Sequence, residues 1–187
     1  MTESEDEDVL PVRRLSSREI YRNPWLTVRE DKIERQDGSR GIYSIIDRPD
    51  FAVIVPTEND GFHLVSQYRY PVSGRYWEFP QGSFPDWRPV DPIELASAEL
   101  AEETGLRARS FVDLGSLFSW HGASSQVFNV VVATELEQGA PNREITEQDM
   151  QHRWVSRSEF EQMIHQGEIK DNSTLAAYTL LKLNGFG

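Results

Sequence analysis

The chain has 187 residues and no cysteine, which excludes disulfides, thiolate metal sites and a cysteine nucleophile. Apolar residues make up 38% and charged residues 27%, the composition of a soluble globule long enough to bury a core without staples. The formal net charge of -12 repels phosphate backbones and argues against nucleic acid as a partner, while a divalent cation could still bridge carboxylates to a small anionic ligand.

The first eight residues, MTESEDED, are acidic rather than basic and then apolar, unlike a secretion signal. Residues 1–16 are expected to form a disordered acidic tail, because clustered like charges repel. No apolar run approaches the roughly 20 residues that span a bilayer, so a cytoplasmic protein without a membrane partner is expected. Ser17 to Arg22 reads as a first strand, followed by a turn at Asn23-Pro24. Leu26 to Arg35 and Gly41 to Asp47 read as two strands around the hairpin signal Asp37-Gly38. Asp50 to Pro56 (DFAVIVP) is almost wholly apolar and reads as a buried strand. A second turn at Asn59-Asp60-Gly61 precedes the strand His63 to Arg69. Pro80 and Gly82 then end a strand in WEFPQG and open a loop.

Asp91-Pro92 marks a helix start, with Asp91 as N-cap, Pro92 at the first helical position and Glu94 in capping-box register. The helix is predicted to run from Pro92 to Thr104 and to stop at Gly105. Val112 to Phe118, Gln126 to Leu136 and Gln151 to Val155 are expected strands, with a polar loop over 137–150. Ser156 to Glu159 forms a capping box for a helix from Ser158 to His165. Asn172-Ser173-Thr174 opens a last helix, Leu175 to Leu183. The predicted layout is α+β: a mixed central sheet between helices, an α/β/α sandwich, with an extra antiparallel β-layer over 17–48 and the main domain over 49–187.

Glu99 and Glu103 lie four residues apart and share one helix face, with Glu102 at i+3 from Glu99. On spacing alone a solvated acidic face is the commoner reading. The Pro-Gln-Gly loop that precedes the helix favours a cation instead, since hard divalent ions take carboxylate and carbonyl oxygens together. The four histidines are scattered without zinc spacing, and Ser124 and Ser125 lack a G-x-S-x-G context.

The stretch Gly82 to Leu106, GSFPDWRPVDPIELASAELAEETGL, resembles the Nudix box. Its second half, Glu99-Leu100-Ala101-Glu102-Glu103-Thr104-Gly105-Leu106, matches. The first half departs: its loop is two residues longer, Val90 stands where the family has an early Glu, and Ala98 stands where it has an Arg. QYRYP at 67–71, WEFPQG at 77–82, and Gly167 to Asp171 followed by Thr174 to Ala177 resemble the ADP-ribose and nucleotide-sugar pyrophosphatase branch. Together these cover most of residues 17–183.

The resemblance implies a Nudix fold and Mg²⁺-dependent hydrolysis of a nucleotide-sugar diphosphate, with Mn²⁺ able to substitute. It implies Glu99 and Glu103 as metal ligands, Glu102 as a ligand or water-orienting group, and the Gln81 carbonyl as a further ligand. Arg69 would hold the diphosphate or else form a surface ion pair, and Glu78 is grouped with it. Glu147 on the late loop would orient or deprotonate water, although strict register puts Gln148 there. Tyr21, Trp25 and Phe51 are candidates to stack on a base, against core packing or a dimer contact for each. The branch also implies a homodimer built through residues 17–48. A nucleotide-sugar sensing module, motivated by Val90 and Ala98, and a hydrolase of another nucleoside diphosphate derivative are the alternatives.

Overall fold

The computed structural model describes residues 10–84, 87, 89, 91–143 and 149–186. The chain divides into two compact units, Met1–Arg48 with Trp120–Ser125, and Pro49–Ser119 with Gln126–Gly187.

The first unit is a three-stranded antiparallel sheet in the order β1 (Val12–Arg22), β2 (Thr27–Arg35), β3 (Arg40–Asp47). β1 begins at Val12, so residues 12–16 belong to a strand and not to the acidic tail that the charge pattern predicts. The physical reason lies across the ladder. Val12, Arg13, Arg14 and Ser16 are held in the ladder opposite Arg35, Glu34, Ile33 and Lys32 of β2, with Arg13 paired to Glu34. The β2–β3 turn falls at Asp37-Gly38 as expected, with Gly38 at φ +79°. The segment 120–125 attaches to β3 through Ile46 N–H to the Ala123 carbonyl at 2.8 Å and the Tyr43 hydroxyl to the Gly122 carbonyl at 3.1 Å.

The second unit is built on a seven-stranded mixed sheet. Its elements are β4 (Phe51–Glu58), β5 (Gly61–Arg69), β6 (Gly74–Glu78), β7 (Gln81–Gly82), α1 (Pro92–Thr104), β8 (Leu106–Phe118), β9 (Val127–Gln138), β10 (Gln151–Ser156), α2 (Arg157–Gln166) and α3 (Asn172–Leu183). The main strand order is β10-β5-β4-β9-β8, with β6 on β5 and β7 on β4. β4 and β9 run parallel, and the other pairs are antiparallel.

Both central strands are apolar on both sides because both faces of the sheet are covered. Val53 and Val55 of β4 and Val130 and Val132 of β9 join Phe160, Met163, Tyr178 and Leu181 of α2 and α3 in one core. The alternate residues Ala52, Ile54, Val131 and Ala133 meet Leu95, Ala96 and Leu100 of α1 in a second core. This is the three-layer α/β/α arrangement with a mixed sheet that the sequence predicts. Phe62, Phe79 and Phe160 are wholly buried and pack ring against ring at 5.1–5.6 Å. Burial of each such side chain stabilises the fold by about 1.5–3 kcal/mol.

α1 has the predicted bounds. The Asp91 side chain accepts from Ile93 N–H and Glu94 N–H, Pro92 follows it, and Gly105 ends the helix at φ +79° with its N–H on the Ala101 carbonyl. Several elements extend further than expected. β8 starts at Leu106, directly after the helix, β9 runs on to Gln138, and α3 begins at Asn172 with Asp171 as its cap.

Gly105 is constrained twice. Its φ is left-handed, and an added Cβ would stand 2.6 Å from the Gly139 carbonyl oxygen and 2.8 Å from Pro141 N. Both neighbours are backbone and cannot swing away. Gly105→Ala is therefore expected to destabilise the fold by about 2 kcal/mol or more, read as a lower urea midpoint at unchanged m-value.

Candidate active site

The predicted carboxylates lie in the second unit, where α1 faces the two-residue strand β7. The Gln81 backbone N–H donates to Glu103 Oε2 at 3.2 Å. Gly82 supports the Glu99 carboxylate: a Cβ there would collide with three atoms of that carboxylate, Oε1 at 2.7 Å among them. Two glutamates from successive turns of one helix thus reach one dipeptide. Glu103 is 1% exposed and Glu99 half-buried.

Glu102 is one residue further round the helix from Glu103 in the backward direction, turned by about 100°. Among the described residues, no three His, Cys, Asp or Glu side chains gather into one metal-holding group. The donor chemistry still fits Mg²⁺, which is commonly held by one or two carboxylates and keeps several waters. Glu99, Glu103 and the Gln81 carbonyl are all hard oxygen donors. Val90 and Glu147, with Gln148, lie outside the described residues.

Arg69 ends β5, and its Nη2 meets Glu78 Oε1 of β6 at 2.5 Å. Glu78 is 4% exposed, and Gln67 Nε2 also donates to its Oε1 at 3.4 Å. Burial pushes the Glu78 carboxyl above its ordinary range, Arg69 opposes that, and the Asp171 charge adds to it. The Arg69 side chain is 42% exposed, so a guanidinium fixed at one end still presents donors to solvent.

The sequence-predicted aromatics divide. Phe51 stacks on Phe128 at 5.2 Å and packs against the core. Tyr21 and Trp25, in the first unit, are exposed, and Trp25 N–H is held by the Asn23 side chain at 2.9 Å.

Sequence reasoning missed Arg143 and Ser173, which join the Glu103 and Gln81 framework, and Arg75 on β6. Arg143 donates from Nε to the Glu103 carbonyl at 2.9 Å and from Nη1 to the Met150 carbonyl at 2.5 Å. Arg75 bonds the Ser66 and Asp149 carbonyls and pairs with the Asp149 carboxylate. Ser173, 3% exposed, donates to Gln81 Oε1 at 2.7 Å. The partners that tie each to the rest of the fold lie far away in the chain: Glu103 for Arg143, Asp149 for Arg75 and Gln81 for Ser173. The WEFPQG and late segments, matched in sequence only as separate motifs, are joined in space. Trp77 N–H donates to the Glu168 carbonyl at 3.0 Å and Phe79 N–H to Thr174 Oγ1 at 3.0 Å.

A family profile described as NUDIX domain matches residues 47–178. The chain belongs to the Nudix family. It is a Nudix hydrolase, and a second profile, described as nucleoside diphosphate sugar hydrolase N-terminal domain, matches residues 12–46.

Among relatives, this Nudix chain is 29% identical over 164 residues to a protein of Mycobacterium tuberculosis named ADP-ribose pyrophosphatase, covering 87% of this chain and 79% of the relative. It is 23% identical to one of the same name from Bacillus subtilis, covering 93% and 94%. A methanol dehydrogenase activator of Bacillus methanolicus is 25% identical, covering 91% and 92%. A solved structure titled as an ADP compounds hydrolase superposes with a TM-score of 0.82 at 21% identity, covering 96% of this chain and 98% of that one, which establishes the fold.

Gly82 gives this Nudix site a separable test. The atoms that an added methyl would strike belong to the far end of a flexible side chain, so Glu99 can move aside without unfolding the protein. Gly82→Ala is expected to keep the parent melting temperature while hydrolytic turnover falls about 100-fold, the scale of a 1 Å misplacement at a reacting centre. Thermal melts and initial rates on the same preparation check it.

Proposed function

We propose that this Nudix hydrolase cleaves the diphosphate bond of a nucleoside diphosphate sugar, ADP-ribose favoured, with Mg²⁺ as its ion and Mn²⁺ as a substitute. The products are a nucleoside monophosphate and a sugar phosphate. The observation that carries this reading is the convergence of Glu99 and Glu103 on the Gln81-Gly82 dipeptide. The names of the mycobacterial and Bacillus subtilis relatives and the N-terminal match support the substrate class.

When bound, the ion neutralises phosphoryl oxygens and lowers the pKa of a coordinated water. Glu99, Glu103 and the Gln81 carbonyl hold it, and Glu102 orients water beside it. Arg69 binds the diphosphate with the donors that Glu78 leaves exposed, and Glu78 fixes the guanidinium by accepting from one end. That charge opposes the net charge of -12 where an anion must enter. Glu147 takes the proton of the attacking water.

The chain acts as a homodimer through its N-terminal layer. β1 is an edge strand of eleven residues, all exposed, with Val12, Leu15, Ile20 and Tyr21 among them. A long bare edge with apolar side chains invites pairing unless something covers it.

ADP-ribose and a panel of nucleotide sugars, dinucleoside polyphosphates and coenzymes, assayed with Mg²⁺ or Mn²⁺, test the activity. The expected result is highest kcat/KM on ADP-ribose and a loss of about 100-fold or more in Glu103→Gln. Equal turnover by parent and variant removes the assignment, and tight calorimetric binding of a nucleotide sugar without consumption favours the sensing module. Separately, sedimentation velocity should give twice the chain mass; a monomer alone removes the dimer.

A further inference from the structure

The strand that receives the two carboxylates is only two residues long. It pairs with Ala52 and Val53 of β4, and the Pro80 carbonyl accepts from Ile54 N–H at 2.9 Å. So short a ladder leaves the peptide plane of Gln81 weakly determined by the sheet. Its side chain supplies what the ladder lacks. Gln81 Oε1 accepts from Ser173 Oγ at 2.7 Å, and Gln81 Nε2 donates to Asp171 Oδ2 at 3.3 Å. The amide is thereby held by the first turn of α3 while the backbone N–H of the same residue is held by Glu103 on α1. One residue is gripped from both faces of the sheet.

We propose that Ser173 and Asp171 are positioning residues for the metal-binding carboxylates, acting through the side chain of Gln81. The proposal rests on the reading of Glu99 and Glu103 as metal ligands and deepens it. Ser173 contributes little else. The cap of α3 is made by Asp171 Oδ2 accepting from Thr174 N–H at 2.8 Å, and the tie between α3 and the 77–79 segment is made by Thr174 Oγ1 on Phe79 N–H. The Ser173 hydroxyl enters neither bond. Its contacts are Gln81 Oε1 and, at 2.5 Å, Asp171 Oδ2, so one hydroxyl hydrogen serves the pair that orients the amide. With the hydroxyl gone, the amide loses its donor, the Gln81 peptide is free to rotate, and its N–H and carbonyl leave the positions that fix Glu103 and face the ion.

The test is Mn²⁺ binding to the substrate-free protein, followed by the electron paramagnetic resonance of free Mn²⁺, for the parent, Ser173→Ala, Gln81→Ala and the double variant, with Glu103→Gln as a ligand control. Ser173→Ala is expected to weaken Mn²⁺ about tenfold, the scale seen when a group supporting a metal ligand is removed. Gln81→Ala should weaken it equally, and the double variant no further, because both changes break one connection. Ser173→Thr, which keeps the hydroxyl, should restore affinity. Parent-like binding by Ser173→Ala overturns the proposal, as do losses that multiply in the double variant, while the metal reading stands. A parent that binds no Mn²⁺ overturns the metal reading and this proposal with it.

Discussion

Removing the Glu103 carboxylate from water costs several kcal/mol unless hydrogen bonds replace the hydration shell, and its place in the last turn of α1 adds to that cost. The negative end of the helix macrodipole lies there, and no basic residue of the helix offsets it. The surroundings supply what the helix lacks. The Gln81 N–H is directed at the carboxylate, and Arg143 brings a guanidinium to the carbonyl at the helix end. Asn142 N–H satisfies the neighbouring Glu102 carbonyl at 3.0 Å. A helix that breaks the usual charge rule at its C-terminus is therefore stable only inside this particular frame. Such local violations are the mark of a site and not of a scaffold.

The frame has a clear division of labour. The two central strands bury both faces and fix where α1 and α3 lie relative to β4. Glycines then set how closely groups approach: Gly82 admits Glu99, and Gly105 admits the 139–141 backbone against the helix end. Hydrogen bonds from the far end of the chain complete the arrangement. Packing thus sets position to within a side chain, and polar contacts set orientation within that.

What was legible in the sequence follows the range of the signals. Asp91, Pro92 and Gly105 act on backbone groups within four residues of themselves, so both ends of α1 could be read directly. The apolar runs 51–56 of β4 and 130–133 of β9 announce strands covered on both faces. The start of β1 was not legible, since VRRLSS carries no alternation. Its strand state comes from partners some twenty residues on, such as Glu34 for Arg13. Arg143, Arg75 and Ser173 were missed because the bonds that matter to the fold, to Glu103, Asp149 and Gln81, span 40 residues or more. Phe51 shows the converse: its place in a strand was legible from the apolar run, but its stacking on Phe128, 77 residues on, was not.

The stitching of residues 77–81 to 168–174 also orders events in time. Synthesis runs from the N-terminus, so α1 and the Gln81-Gly82 dipeptide exist long before Asp171, Ser173 and Thr174 do. At about 5–20 residues per second, the roughly 90 residues between them take on the order of 5–20 seconds to add. Throughout that interval the nascent chain carries its acidic helix without the segment that anchors β7. Until then β7 lacks the contacts that residues 168–174 bring to the 77–81 segment, and that later segment acts as a clasp on the site.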